Sequence, residues 1–269
     1  MALGIFLYCC LKIFFNQKIN KMKKFLLISF SILFFTSCSN GISENWIYPF
    51  KKEEIKFWRG YNKESLPATW SFNEEVVIFQ PISNEMGDDI IFTKTEFRNF
   101  EFYIEWKIDS GGNSGILYHV EENENFPVYL IGQEYQIIDD YNFISVNYGN
   151  DLKPWRDYMN QIELYPNDKL HELQQTGALY AMYPAQNKKI NDIGQWNSSR
   201  IIFKDEKVEF HLNGKLITSF IPWSNDWYDR LSQTKAYADT PFGKNKSGYI
   251  CLQDHGSPVF FRNCRIRKL

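Results

Sequence analysis

Phe100-Glu101-Phe102-Tyr103-Ile104-Glu105-Trp106-Lys107-Ile108 is the stretch whose reading decides the fold. Phe102, Ile104 and Trp106 alternate with Glu101, Tyr103 and Glu105. Successive strand side chains point to opposite faces, so this is the pattern of a half-buried β-strand. Outward from it, short β-branched or aromatic runs recur at 76–79, 90–92, 116–120, 135–138, 200–203, 208–212, 249–252 and 259–261. Residues 264–269 close the chain. Gly, Asn, Asp and Pro punctuate these runs. Asn213-Gly214 predicts a tight hairpin, with 215–220 returning. Segments 151–175 and 222–243 read as loops or short helices, and no repeat of fixed period appears. Many short strands with 17% aromatic residues predict an all-β, two-sheet sandwich of the jelly-roll kind. Such a sandwich offers a concave face. Polar and aromatic side chains there suit sugars, because rings stack and amides bond hydroxyls.

The 269 residues divide unevenly. Met22-Lys23-Lys24 opens a charged segment, 25–35 is apolar, and Thr36-Ser37 leads into Cys38. This is the layout of an export signal. It resembles a bacterial lipoprotein signal in which Cys38 becomes the acylated first residue, with a plain signal anchor as the alternative. The division is then an upstream extension at 1–21, a signal at 22–38, a tether at 39–56 and a domain at 57–269. The protein is expected to be an exported lipoprotein of the outer membrane, held by its lipid. A net charge of −2 and the lack of a basic stripe argue against nucleic acid. Of five cysteines, only Cys251 and Cys264 fall in the domain. Export would permit a disulfide between them, and two separate buried thiols are the alternative.

Strand alternation puts Glu134 and Gln136 on one face and Tyr135 and Ile137 on the other. Glu134 is the candidate base, because burial among apolar neighbours raises a carboxyl's pKa. A structural carboxylate bonded to backbone or to Arg262 is the alternative. His171, in a long loop, and His255, in Gln253-Asp254-His255-Gly256, complete the acid–base candidates. Each has a plain loop or turn role as its alternative. Asn113, Gln136 and Gln253 are candidate hydroxyl binders, although 111–115 also reads as a glycine-rich turn. Tyr180 is a candidate proton donor or stacking face, with a core aromatic as the alternative. Arg262 faces either the ligand or a carboxylate. Asp139 and Asp140 carry the oxygen ligands a cation such as calcium takes, but an Asp pair ending a strand also makes a turn. No cofactor is otherwise indicated.

Taken in order, several segments resemble the 3-keto-disaccharide hydrolase domain family. They are 70–78, 97–106, Gly112-Asn113-Ser114-Gly115-Ile116, Gly132-Gln133-Glu134-Tyr135-Gln136-Ile137-Ile138-Asp139, Thr176-Gly177-Ala178-Leu179-Tyr180, Gln195-Trp196-Asn197, Leu212-Asn213-Gly214, 248–256 and Phe261-Arg262-Asn263-Cys264-Arg265-Ile266. The resemblance implies a concanavalin A-like jelly-roll and cleavage of glycosides whose sugar carries a 3-keto group. It also implies partner oxidoreductases that install the ketone with a nicotinamide cofactor. This chain lacks the Gly-x-Gly-x-x-Gly fingerprint for that step. His119 stands where many relatives have Arg, which puts substrate handling in question, and Gln133 where Pro or an apolar residue is frequent.

Glycosidases use two carboxyl groups about 5–10 Å apart. Glu134 and Asp139 on a regular strand would lie about 16 Å apart on opposite faces, a poor pair. A 3-keto sugar offers another route. The ketone acidifies the C2 hydrogen, a base removes it, and the C1 substituent leaves. A non-catalytic carbohydrate-binding lipoprotein is the competing reading.

Overall fold

The computed structural model describes residues 45–74, 76–82, 86–161 and 169–269. Cys38, the signal, the upstream extension and residues 39–44 lie outside the described residues.

The strands are β1 (Trp58–Gly60), β2 (Trp70–Asn73), β3 (Val76–Phe79), β4 (Ile90–Phe97), β5 (Phe100–Ile108) and β6 (Asn113–Val120). They continue as β7 (Gln133–Ile138), β8 (Asn197–Lys204), β9 (Lys207–Leu212), β10 (Lys215–Phe220), β11 (Gly248–Leu252) and β12 (Val259–Lys268). Among the described residues three short α-helices join them: α1 (Phe143–Tyr148), α2 (Lys153–Gln161) and α3 (Asn225–Ser232). α2 and α3 fall in the segments 151–175 and 222–243 read as loops or short helices, whereas α1 precedes the first of them.

Two antiparallel sheets form a jelly-roll sandwich. One has the order β1-β4-β11-β6-β7, and the other β10-β9-β8-β5-β12-β3-β2. The chain crosses between them after β1, β3, β4, β5, β7, β10 and β11, which is why neighbours in a sheet are distant in sequence. Phe102, Ile104 and Trp106 of β5 enter the core between the sheets, where they meet Ile116, Tyr118, Tyr135, Ile137, Ile250 and Leu252. Glu101 points the other way, to Arg200 and Arg267. Asn213 and Gly214 both have positive φ, as a hairpin of this type requires.

Two boundaries differ from the sequence reading. Residues 259–261 and 264–269 form one strand, β12, in which the register shifts between Arg262 and Arg265 and Asn263 takes a positive φ. This bulge breaks the alternation that would have joined the two runs. The domain also begins before residue 57. Ile47 pairs with Ile266, and Phe50 is buried against Trp58 and Phe72. Cys251 and Cys264 are free buried thiols that belong to different apolar clusters.

Trp106 is fully buried, and its indole N–H donates to Ser199 Oγ at 2.8 Å. Trp106→Ala is expected to cost roughly 3–5 kcal/mol, with Trp106→Phe losing less. Denaturant unfolding of both variants checks this, and an unchanged midpoint for the alanine variant would contradict the packing described.

Candidate active site

The face of the five-stranded sheet turned away from the sandwich is divided in two. One zone is apolar, with Ile91, Leu117, Val120 and Cys251 covered by Val128 and Ile131. Counting on by twos from Ile91, Leu117 and Cys251 gives a polar zone, Asp89 before β4, Gly115 and Asn113 on β6 and Gln253 after β11, which Glu134 and Gln136, paired with Leu117 and Gly115, extend on β7. Tyr135 and Ile137 point into the core. Gly115 makes room for Glu134: a Cβ at residue 115 would stand 2.6 Å from Glu134 Oε1. The Glu134 carboxyl therefore lies over the neighbouring strand, in the space a side chain would occupy. Gln253 follows on the next strand, its N–H bonded to Gly115 O at 3.0 Å.

The polar zone is the floor of a cavity of about 690 Å³. Its other side is apolar, supplied by Phe143, Tyr148, Trp155 and Leu170 of the helical segment. Those residues pack with Ile138, Ile144 and Met159 in a cluster of their own. The chain at 176–180 runs beside β7, with Gln136 N–H bonded to Ala178 O and Tyr180 N–H to Glu134 O. This brings Tyr180 to the cavity wall.

Three buried amide oxygens of the lining have no protein partner: Asn113 Oδ1, Gln174 Oε1 and Gln253 Oε1. Burying such acceptors unpaired costs free energy, and a ligand hydroxyl would satisfy them. Gln136 is oriented the other way. Its Oε1 already accepts from Ile137 N–H at 2.8 Å, which leaves its Nε2 to donate. Tyr180 and Tyr158 share a hydrogen bond of 2.6 Å, and Gln174 Nε2 donates to Tyr180. One phenol hydrogen links the pair, so the other remains for a ligand whichever oxygen donates.

The electrostatics of the floor favour neutral groups. Burial, then the nearby Asp89 charge, raises the Glu134 carboxyl to about 8, against a lowering contribution from Gln253. Burial likewise raises Asp89 to about 7, partly offset by the hydrogen bond from Asp254 N–H to Asp89 Oδ1 at 2.9 Å. Burial holds the Tyr180 phenol well above its usual value, so it stays protonated.

Glu134, Gln136, Asn113, Gln253, Tyr180 and His255 line this one cavity, with His255 exposed at its mouth. His171 and Arg262 do not. His171 caps the turn 172–174, its Nδ1 accepting from Leu173 N–H at 3.3 Å. Its neighbours Leu170 and Gln174 are the ones that face the cavity. Arg262 lies on the outer face of the seven-stranded sheet, bonded to Glu105 at 2.7 Å and stacked on Trp196. It therefore cannot bond Glu134. Asp139 is a cap rather than a cation ligand. Its carboxylate accepts N–H groups from Gly111, Tyr141 and Asn142, which occupy the oxygens a cation would need. Asp140 pairs with Lys188 at 2.5 Å. Among the described residues no cluster of three His, Cys, Asp or Glu side chains could hold a metal. His119 lies outside the cavity, among Phe100, Tyr118 and Phe203, so its difference from relatives does not touch the cavity. Gln133 accepts from Tyr118 OH.

Asp89, Gln174 and Tyr158 escaped the sequence reading. Asp89 precedes Ile90-Ile91-Phe92, an all-apolar run whose faces period-2 counting cannot separate.

Fold and cavity together define a class, a β-sandwich protein with a carboxyl-bearing cleft on one sheet face. Within it, the chain belongs to the 3-keto-alpha-glucoside-1,2-lyase-like domain family, whose profile matches residues 45–267. It is 29% identical over 251 residues to the 3-keto-disaccharide hydrolase of Bacteroides thetaiotaomicron, covering 84% of this chain and 79% of that protein. A crystal structure of a candidate glycosyl hydrolase from Parabacteroides distasonis is 32% identical with a TM-score of 0.71, covering 86% of this chain and 97% of that one. A second from the same organism is 25% identical with a TM-score of 0.56, covering 84% and 100%.

Because Glu134 and Asp89 both prefer the neutral form when folded, the native state binds more protons than the unfolded chain between about pH 4 and pH 8. Stability is therefore expected to fall by a few kcal/mol as pH rises through that window. Glu134→Gln should flatten the fall. Urea melts across the window check this, and a wild-type stability that rises with pH at a rate Glu134→Gln leaves unaltered would contradict it.

Proposed function

We propose that this protein cleaves 3-keto-glycosides, with Glu134 as the base that removes the C2 proton. The observation that carries this reading is a carboxyl buried over Gly115, at the floor of a cavity with unsatisfied amide oxygens. Support for the substrate class comes from the family and from the name of the Bacteroides relative.

The chemistry follows from the ketone. A carbonyl at C3 makes the C2 hydrogen acidic enough for a carboxylate to take it. Charge passes to the ketone oxygen as an enolate. Gln136 Nε2 and the spare phenol hydrogen of the Tyr158–Tyr180 pair are the donors available to it, and donors aimed at developing charge lower the barrier. The C1–O bond then breaks, its electron pair leaving with the departing oxygen. Asn113, Gln174 and Gln253 accept hydroxyl hydrogens and fix the ring. Release of the unsaturated sugar would make the reaction a lyase; adding water across C1 and C2 would make it a hydrolase. Because the substrate must arrive oxidised, a separate nicotinamide-dependent oxidoreductase is the partner this reading requires. Export and lipid anchoring through Cys38 belong to the same proposal.

Wild-type protein is expected to turn over a 3-keto-glucoside and leave its unoxidised parent intact. Glu134→Gln should lower kcat by about 10²–10⁴-fold, the usual worth of a positioned base. Product analysis by mass spectrometry checks both. Saturable binding without turnover would replace this reading with glycan capture. Fatty-acid labelling of the expressed full chain is expected to disappear in Cys38→Ala.

A further inference from the structure

The cavity holds a second buried carboxyl. Asp89 precedes β4 and is 8% exposed, while Glu134 is 4% exposed. The register places it opposite Glu134. Leu252 pairs with Ile116 on one side and with Ile90 on the other. One residue further along, Gly115, Gln253 and Asp89 stand abreast, as the bond from Gln253 N–H to Gly115 O requires. The Glu134 carboxyl lies over Gly115. Two strand spacings, about 10 Å, separate the backbones of Gly115 and Asp89, and both side chains reach into the cavity between them. Asp89 thus supplies, across the sheet, the second carboxyl in the cavity that Asp139, held by N–H groups as a cap, does not.

We propose that Asp89 is the general acid of the site, protonating the leaving oxygen while Glu134 takes the C2 proton. This rests on the keto-glycoside reading. The step balances: the C2–H electron pair forms the C1–C2 double bond, the C1–O1 pair leaves with O1, and O1 takes the Asp89 proton. The sugar product is an unsaturated 3-keto sugar, and the other product is an alcohol. The two carboxyls have then exchanged protonation states. Asp89 is now a carboxylate that can take a proton from water adding at C1, and Glu134 returns its proton to C2.

The surroundings push Asp89 toward its protonated form, to about 7, and burial pushes Glu134 to about 8, so near neutral pH the pair together retains a proton. Desolvation and the charges of Asp254 and Asp88 act in that direction, while Lys63 and the Asp254 N–H oppose it. Lys63 is itself engaged by Asp88. Asp254 accepts N–H groups from Gly87, Asp88 and Gly256, so it is held in the loop rather than turned to a ligand. His255 stands at the mouth of the cavity.

A leaving group's need for a proton distinguishes an acid from a structural carboxyl. Asp89→Asn is expected to lower kcat by about 10²–10⁴-fold on a 3-keto-glucoside with an alkyl aglycone. With a 4-nitrophenyl aglycone, whose oxygen leaves as a stable anion, the loss should be less than about tenfold. Exchange of the substrate C2 hydrogen in D2O should survive in Asp89→Asn and vanish in Glu134→Gln. Equal losses on both aglycones, or no loss on either, would overturn the assignment. Loss of C2 exchange in Asp89→Asn would overturn it too. Asp89→Glu, which keeps the proton, is expected to recover part of the alkyl-aglycone rate, and a thermal melt of each variant separates misfolding from chemistry. Wild-type protein that cleaves neither keto substrate would instead defeat the underlying reading.

Discussion

The cavity is arranged around one constraint, the burial of the Glu134 carboxyl. An ionised carboxylate taken out of water without a partner is costly enough that the group neutralises instead. No lysine or arginine lies among the described residues of the lining to offset it. The strand therefore leaves a gap at Gly115, where any larger residue would meet Oε1. The polar group nearest the carboxyl is a neutral amide, Gln253, and the nearest charge has the same sign. The lack of a cation and the like charge of Asp89 favour the protonated form, against the hydrogen bond from Gln253. A carboxyl kept near neutrality can give or take a proton at little cost, which is the condition acid–base catalysis needs.

A second constraint builds the wall. β7 is an edge strand of the five-stranded sheet, and an edge leaves backbone donors and acceptors unpaired. The segment 176–180 covers it through bonds to Gln136 and Glu134. That cover delivers Tyr180 beside the floor, and Gln174 with it. The helical segment then buries its aromatic residues against the same opening. Tyr158, on α2, closes the contact by bonding Tyr180. Satisfying a sheet edge and enclosing a ligand space are thus done by the same residues.

What was legible in the sequence follows the same physics. Alternation in 100–108 and around Glu134 held because one face of each strand meets the core and the other does not. It placed Glu134 and Gln136 on a common face. It lost Asp89, since Ile90, Ile91 and Phe92 are apolar on both faces and give no count of which way the preceding residue points. It also split β12 in two at a bulge. In the loop before 176 the side-chain chemistry of His171 points to acid–base work, but backbone geometry turns it to cap a helical turn. The adjacent Gln174, an unremarkable residue in sequence, has the unpaired buried oxygen. Arg262 faces away because the seven-stranded sheet presents its outer face there, a matter of sheet assignment that local pattern does not contain.

The charge of the floor bears on which glycosidic chemistry it suits. An ordinary glycosidase passes through an oxocarbenium-like transition state, and an ionised carboxylate beside the ring stabilises that positive charge. Here burial raises both carboxyls, the Asp89 charge raises Glu134 further, and no lysine or arginine lies among the described residues of the lining. Such a floor offers little to a developing cation. An enolate develops negative charge on a ketone oxygen, and neutral donors serve it well: a Gln136 amide, a phenol and a carboxylic acid. Forming an enolate beside an ionised carboxylate would be opposed by like charge, but once the base has taken the C2 proton it is itself neutral. The same burial that makes the site poor for one mechanism therefore prepares it for the other, and a keto group on the sugar is what makes that other mechanism available.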